Sequence, residues 1–307
     1  MTAFGGYQVR LVGWVSLPAR QPSGSPNSMR LTCRTVTVAT AGLTAVGLLT
    51  AGVTAAYAVA EPAPPGVNVV AAKCGATGSH WMAMRFTAGA TAVRLLSNSN
   101  PGNLGARLVS NPGYEQGPGR TLVMNVAEDL HDVVNIVLEV TGAAAAAHIA
   151  VRVHTGHKGG VGGPGIDFML GSDADSNAFD GGEGQDVLCG MGSHDSLNGG
   201  PGDDLVFGGA GNDRTVGADG NDLLLGEAGD DYVEGGAGDD FMCGGPAGAG
   251  AGDNDEIQGG PGRDVVGAVH GGDKVYGGAD ADSIAVAGGA RVLDREDGDR
   301  VVVTPLP

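Results

Sequence analysis

The chain has 307 residues, among them 58 glycines, 35 acidic residues and 17 basic residues, and its formal net charge is −18. From Gly162 to the C-terminus there are 29 acidic residues against 6 basic ones, whereas 61–161 contains 6 against 7. The acidity therefore belongs to the C-terminal part. Because contacts to nucleic-acid phosphates need clustered Lys and Arg, this charge pattern excludes nucleic acid as a partner.

Residues 1–60 are interpreted as an upstream extension followed by a secretory signal peptide. Met29 is followed by the basic residues Arg30 and Arg34, and 36–60 is an apolar stretch without charge that ends in Ala-Val-Ala. A basic region, an apolar region and a small-residue cleavage site in this order are typical of export signals. The stretch is also long enough for an uncleaved membrane anchor. Its Thr, Gly and Ala content favours cleavage, so we expect a secreted, extracellular protein without a stable membrane span.

Residues 61–157 differ in composition from the rest and begin with the proline-rich sequence EPAPPG. Apolar and polar residues alternate over 81–86, 134–140 and 148–153, and Gly-rich or Asn-Pro sequences separate these runs. Alternation with a period of two is typical of half-buried strands. The pattern predicts a small, β-sandwich-like domain of unknown role over 61–157.

Three histidines near the end of this segment are the only grouping that could suggest a transition-metal site. His148 and His154 lie in the same strand phase, and His157 follows three residues later. Such histidines are more often surface residues at a domain junction. The sequence contains neither H-E-x-x-H nor G-x-S-x-G, so no zinc protease or hydrolase nucleophile motif is present.

A nine-residue repeat begins at Gly181 and runs without a gap to Cys243, with seven blocks such as GGPGDDLVF and GGAGDDFMC. The same spacing continues after six extra residues, and it is visible upstream, where Asn177 occupies one sixth place. An aliphatic residue stands two places after nearly every sixth place, with Thr215 as the exception. The remaining sixth places hold Asp167, Asp186, Asp195, Asp204, Asp213, Asp222, Asp231, Asp240, Asp255, Asp264, Asp273 and Asp282.

Each repeat has the chemistry of a tight turn followed by a short strand. Glycines at places one, two and four permit left-handed backbone and close approach, and the three residues after them alternate in direction. Two repeats would close one coil, so that aspartates two repeats apart stack and enclose a cation with the turn carbonyls. A disordered acidic tract is the alternative, but it has no need of an aliphatic residue at a constant distance from each aspartate.

The repeat matches the pattern G-G-x-G-x-D-x-U-x and resembles the RTX, or haemolysin-type, calcium-binding family. The resemblance implies an all-β chain with a parallel β-roll, a calcium-binding β-solenoid, over 162–300. It also implies that Ca²⁺ is bound by the twelve aspartates named above. We expect the six extra residues between Gly244 and Asp255 to interrupt the stack.

The repeat does not specify an activity, because family members attach the same roll to enzymes, toxins and adhesins. The favoured hypothesis is an exported calcium-binding protein with a structural or adhesive role, whose repeats fold when they bind the ion. The alternative is a secreted hydrolase with its catalytic site in 61–157. The lack of a recognisable nucleophile and base in that segment favours the non-enzymatic hypothesis.

Places seven and nine of each repeat should point outward from the roll. In alternate repeats they are apolar, as in Leu205 and Phe207, and in the other repeats they are mostly polar. One outer face would thus be an exposed apolar stripe, which soluble monomers rarely leave bare. We expect the 61–157 segment to cover it, or otherwise a protein partner or self-association. If that segment docks there, Cys74 would approach Cys189 or Cys243.

Overall fold

The structure is a computed structural model. It describes residues 45–47, 56–58, 67–74, 80–86, 90–98, 107–109, 121–126, 133–142, 146–155, 158–245, 253–268, 272–287 and 289–304. All regular elements in these ranges are β-strands, so the predicted all-β class is confirmed. No helix with the length and apolar character needed to cross a membrane occurs in the described part of the chain. The predicted signal stretch lies mostly outside the described residues.

The strands before the repeats fall into three groups. β1 and β2 form an antiparallel hairpin, a second sheet has the order β3-β4-β7-β6, and β5, β8 and β9 pair antiparallel with one another. Their bounds are β1 (Ala45–Gly47), β2 (Ala56–Ala58), β3 (Val67–Lys73), β4 (His80–Phe86), β5 (Ala90–Asn98), β6 (Arg107–Val109), β7 (Thr121–Val126), β8 (Val134–Gly142) and β9 (Ala146–Thr155).

The repeats form short strands of three to seven residues, each of which begins close to the sixth place of its repeat. Their bounds are β10 (Gly159–Val161), β11 (Ile166–Ser172), β12 (Ala178–Asp180), β13 (Val187–Gly192), β14 (Ser196–Pro201), β15 (Leu205–Ala210), β16 (Arg214–Asp219), β17 (Leu223–Ala228), β18 (Tyr232–Ala237), β19 (Phe241–Cys243), β20 (Glu256–Pro261), β21 (Val265–Ala268), β22 (Lys274–Ala279) and β23 (Ser283–Ala287). Two further strands, β24 (Arg291–Val292) and β25 (Arg300–Thr304), follow them.

Alternate repeat strands join alternate sheets, which confirms the predicted parallel β-roll. The even-numbered strands from β10 to β24 form an eight-stranded sheet, and the odd-numbered strands from β11 to β25 belong to an eleven-stranded sheet. Leu188 pairs with Val206 and Val206 with Leu224, so one coil takes two repeats. These place-eight residues point between the sheets and are fully buried there, as is Thr215. Their burial provides the hydrophobic core of the roll.

The turns adopt left-handed backbone at places two and four even where no glycine stands there. Met191, Ala218 and Glu227 occupy place two with φ between 79° and 87°, and Ser193 and Asp280 occupy place four with φ of 78° and 81°. Residues with a Cβ pay about 1–2 kcal/mol for this conformation. The stacking of coils therefore dictates the turn geometry, and glycine is the residue that adopts it without strain.

The strands before the repeats extend the roll rather than forming a separate sandwich. β9 pairs parallel with β11, and β8 and β5 follow it, so the eleven-stranded sheet runs across the predicted boundary between 61–157 and 162–300. The four-stranded sheet forms a second layer. Its buried methionines, Met82, Met84 and Met124, belong to the same core cluster as the outer face of the eleven-stranded sheet. The packing is sandwich-like as predicted, but one of its layers is the roll itself.

This packing confirms the predicted cover of the apolar stripe. Phe168 and Phe207, which point outward from the roll, are 0% and 2% exposed because the N-terminal sheets lie over them. Cys74 forms a disulfide with Cys189, with a Cα–Cα distance of 5.8 Å. Cys243 is disulfide-bonded as well. The apolar face is therefore occupied by the chain's own residues.

Candidate metal centre

The sixth-place residues stack into two columns, one along each edge of the roll. The first column leads into the eleven-stranded sheet and the second into the eight-stranded sheet. In both columns the backbone N–H of each member donates to Oδ1 of the member in the next coil, at 2.6 to 3.1 Å. The first column consists of Asp167, Asp186, Asp204, Asp222, Asp240, Asp264 and Asp282, and the second of Asn177, Asp195, Asp213, Asp231, Asp255 and Asp273.

The structure thus brings all twelve predicted aspartates into these columns. It also differs from one expectation, because the extra residues before Asp255 do not interrupt the stack. Asp231 donates to Asp255 at 3.0 Å and Asp240 donates to Asp264 at 2.9 Å across this insertion.

The second carboxylate oxygen of most column members is buried without a hydrogen-bond partner. These members are at most 4% exposed. Burial of an unpaired carboxylate oxygen costs free energy, so each of these oxygens requires a positive group or a proton. The atoms concerned are Oδ2 of Asp186, Asp195, Asp204, Asp213, Asp222, Asp231, Asp255, Asp264 and Asp282.

The glycine at place one of each repeat leaves room for the Oδ2 atom of the aspartate at place six. A Cβ on Gly181 would lie 2.6 Å from Oδ2 of Asp186. A Cβ on Gly208 would lie 2.8 Å from Oδ2 of Asp213 and 2.5 Å from the carbonyl oxygen of Gly226 in the next coil. A carboxylate oxygen and a backbone carbonyl oxygen therefore share the space that a side chain would otherwise fill.

Burial also changes the acidity of the columns. It raises the pKa of Asp204 to about 9, with a further contribution from the neighbouring carboxylate of Asp222. Burial raises the pKa of Asp222 to about 8 and that of Asp195 to about 6. At neutral pH, Asp204 and Asp222 therefore hold a negative charge only if a cation compensates it, whereas Asp195 is largely ionised.

The donor atoms fit a hard cation. In the described ranges no group of three or more His, Cys, Asp and Glu side chains lies close enough to hold a metal. Each turn instead presents a carboxylate oxygen and a backbone carbonyl oxygen of the next coil, as Asp213 and Gly226 do beside Gly208. Ca²⁺ accepts six to eight oxygen ligands in a tolerant geometry, which suits this donor set.

The histidines before the repeats do not form a transition-metal site among the described residues. Nε2 of His148 lies 3.7 Å from Oε1 of Glu139. His154 is buried, with its Nε2 atom 2.9 Å from Oδ1 of Asp167, so the expectation of a surface residue was wrong for this histidine. His157 lies outside the described residues. His154 is buried because β9 extends the roll, which the sequence alone did not indicate.

Asp167 differs from the next member of its column, Asp186, since both of its oxygens accept hydrogen bonds. Arg152 Nε donates to Oδ1 at 2.8 Å and the terminal Nη2 donates to Oδ2 at 2.7 Å. The structure therefore places Asp167 in the first column as predicted but provides it with a protein cation.

A second ladder of hydrogen bonds lies outside the columns and joins the residues at place five of successive coils. The sequence did not predict it in detail. The N–H of Asn221 donates to Oδ1 of Asp203 at 2.9 Å, and the N–H of Asp239 donates to Oδ1 of Asn221 at 2.9 Å. On the other edge the N–H of Asn212 donates to Nδ1 of His194 at 2.7 Å. These bonds run toward the N-terminus, opposite to those of the columns. The signal for this ladder was the frequency of short polar residues at place five.

Asp299 is a further column member that the repeat pattern missed. Its Oδ1 accepts from the N–H of Asp282 at 3.1 Å, and its Oδ2 accepts from the N–H of Glu296 at 2.8 Å. It stands 17 rather than 18 residues after Asp282, and no glycine pair precedes it. Val301, two places later, was the remaining signal, since it pairs with the buried Ile284.

A comparison with models of protein families agrees with this geometry. The model of the RTX calcium-binding nonapeptide repeat matches the chain in four copies, over 180–215, 216–246, 249–268 and 269–293. Comparisons with curated proteins and with solved structures gave no significant match. Residues 180–293 of this chain are therefore RTX calcium-binding nonapeptide repeats, which indicate calcium binding.

Proposed function

We propose that the chain is an exported calcium-binding protein whose roll folds when Ca²⁺ binds between successive coils. The observation that carries the proposal is the row of buried Oδ2 atoms without protein partners along both edges. The proposed ligands are these oxygens, those of Asp240 and Asp273, and the turn carbonyls beside them. When bound, the ion supplies the positive charge that the stacked carboxylates need.

The chain's own residues explain why binding and folding would be coupled. Successive ligands of one column, such as Asp204 and Asp222, are 18 residues apart and come together only when the coil is closed. In the open chain the acidic residues repel one another, and the strands are too short to offset the loss of chain entropy alone. Binding free energy would therefore appear as folding free energy.

We further propose a structural or adhesive role for the exported protein. The signal-like order of residues over 29–60 supports export, and the disulfide between Cys74 and Cys189 is typical of an oxidising compartment. The described N-terminal strands pack over the roll, with Val134, Leu138 and Met84 fully buried in the shared core. This arrangement supports a role of that segment in stabilising the roll, which favours a structural role over a hydrolase.

Circular dichroism of the full chain in chelator and in millimolar calcium tests the proposal. We expect a gain of β-structure with calcium, and a higher calcium midpoint for Asp204→Asn, which keeps the Oδ1 acceptor and removes a ligand charge. Asp175→Asn is the matched control, because the half-buried Asp175 side chain, 44% exposed, pairs with Lys158 outside the columns. Identical β-rich spectra with chelator and with calcium would overturn the proposal.

A further inference from the structure

Asp167 ends a turn with the complete repeat sequence, Gly-Gly-Pro-Gly-Ile-Asp, over 162–167. The motif alone predicts a calcium ligand there. We propose instead that Arg152 takes the place of calcium at Asp167, so that the first coil of the roll closes on a cation supplied by the protein. For the other coils this inference rests on the proposed calcium binding.

The geometry is that of a bidentate ion pair. Arg152 donates through Nε to Oδ1 of Asp167 at 2.8 Å and through Nη2 to Oδ2 at 2.7 Å. The carboxylate is fully buried and the guanidinium side chain is 21% exposed. Two parallel charge-assisted hydrogen bonds of this kind are strong and geometrically specific. Nη2 also donates to the carbonyl oxygen of Pro164 at 3.0 Å, which fixes the turn itself.

Further contacts complete the shell of Asp167. His154 Nε2 lies 2.9 Å from Oδ1, and the N–H of Gly163 donates to Oδ2 at 3.2 Å. Burial alone would raise the pKa of Asp167, but the hydrogen bonds from His154 and Arg152 lower it below its usual value. The next member of the column, Asp186, has its pKa raised by burial to about 8. Unlike Asp186, Asp167 therefore has a carboxylate whose charge is already compensated by the protein.

The backbone places Arg152 where the sixth place of a preceding coil would be. β9 pairs parallel with β11, with Arg152 opposite Asp167 and Val153 opposite Phe168. The N–H of Asp167 donates to Oδ1 of Asp186 at 2.8 Å, so the column continues from this pair. The pair joins the repeats to the N-terminal strands, whose cohesion comes from apolar packing. The ion pair thus holds the first coil against the N-terminal strands, and the calcium-dependent coils can stack on that coil.

The second column begins without an uncompensated charge as well. Its first member is Asn177, whose N–H donates to Oδ1 of Asp195 at 2.6 Å and whose own Oδ1 accepts from the N–H of Ser172 at 3.2 Å. At the N-terminal end one column therefore starts with a neutral amide and the other with an ion pair. Neither end requires an added ion.

Native mass spectrometry of the full chain in calcium counts the bound ions and so tests whether Arg152 replaces calcium at Asp167. Asp167→Asn should leave the number of bound calcium ions unchanged, because Asp167 is not a ligand, whereas Asp204→Asn should lower it. Arg152→Gln should raise the number by one, since the complete turn at 162–167 is then released. Arg214→Gln is the control, because Arg214 forms an exposed pair with Glu234. A loss of one ion in Asp167→Asn would overturn the inference.

Hydrogen exchange in chelator provides a measurement that needs no calcium and no loaded site. We expect the amides of 151–155 and 166–170 to stay protected in the wild-type chain and in Arg214→Gln, and to exchange roughly 100-fold faster in Arg152→Gln, as for a broken buried ion pair. Equal exchange in the wild type and Arg152→Gln would contradict the inference. If the wild type bound no calcium but Arg152→Gln lost this protection, the proposed function would fail while the role of Arg152 would stand.

Discussion

The two sheets of the roll are built from the same nonapeptide but have different surroundings. In the eleven-stranded sheet the outward residues at places seven and nine, such as Phe207 and Leu223, are covered by the N-terminal strands. In the eight-stranded sheet the same places hold Arg214, Glu234 and Lys274, which form exposed ion pairs. The inward residue at place eight is apolar in both, apart from Thr215. The difference shows that place eight specifies the coil, whereas places seven and nine specify what the coil packs against.

The edges of the roll do not share this difference. Both columns contain buried carboxylates with one oxygen unpaired, and the pKa values of both are raised. We therefore expect the two sheets to respond alike to changes at the turns and to respond differently to changes on their outer faces. The following predictions test this expectation.

The largest effect should come from pH in the presence of chelator. Folding raises the pKa of Asp204 from 3.8 to about 9 and that of Asp213 to about 6, mainly through burial. The folded roll then binds more protons than the unfolded chain, so this stability is complete below about pH 4 and is lost as pH rises through about 6 to 9. Circular dichroism in chelator should show β-structure in acid that disappears at alkaline pH.

Asp204→Asn is the matched variant for this experiment. Because the amide is neutral at every pH, the variant should be more stable than wild type in chelator at pH 8 and equally stable at pH 4. Strand content that rises with pH in chelator would show that the carboxylates are compensated by groups other than protons. Exchange measured residue by residue would also show whether one sheet responds without the other.

An acidic substitution at place seven should have a smaller effect that separates the two sheets. Leu223→Asp puts a charge into the covered face, where Leu223 is 5% exposed, and an uncompensated buried charge destabilises by about 3–5 kcal/mol. Ser196→Asp introduces the same charge at the same place in the eight-stranded sheet, where Ser196 is exposed, and should change stability by less than about 0.5 kcal/mol. Chemical denaturation in saturating calcium measures both, and equal losses would refute the difference between the faces.

The smallest effect concerns position within a column. Asp213 lies between Asp195 and Asp231, whereas Asp282 lies next to Asp299, whose Oδ2 already accepts from Glu296. Asp213→Asn should therefore lower the cooperativity of calcium binding more than Asp282→Asn. Calorimetric titration gives the two Hill coefficients. Indistinguishable curves would mean that neighbouring sites in a column are not coupled.

The repeats could be predicted from the sequence because each residue there has the same role in every coil. The spacing of Asp186, Asp204 and Asp222 predicted their column, and the apolar residues Leu205 and Phe207 predicted a covered face. Arg152 could not be assigned in this way, because it lies on a strand outside the periodic region and contacts Asp167 only through the parallel pairing of β9 and β11. Non-local pairing of this kind leaves no period in the sequence.

The common direction of the hydrogen bonds in a column has a consequence for polymerisation. A stack in which every N–H of one coil donates to the next has a donor left at one end and an acceptor at the other, so identical stacks could join end to end into a fibre. In the first column Arg152 occupies the terminal acceptor of Asp167, and the N–H of Asp299 donates to the carbonyl oxygen of Glu296 at 3.3 Å. Both ends of this column therefore have hydrogen-bond partners within the chain, so the first column leaves neither its terminal donor nor its terminal acceptor for a second copy of the chain.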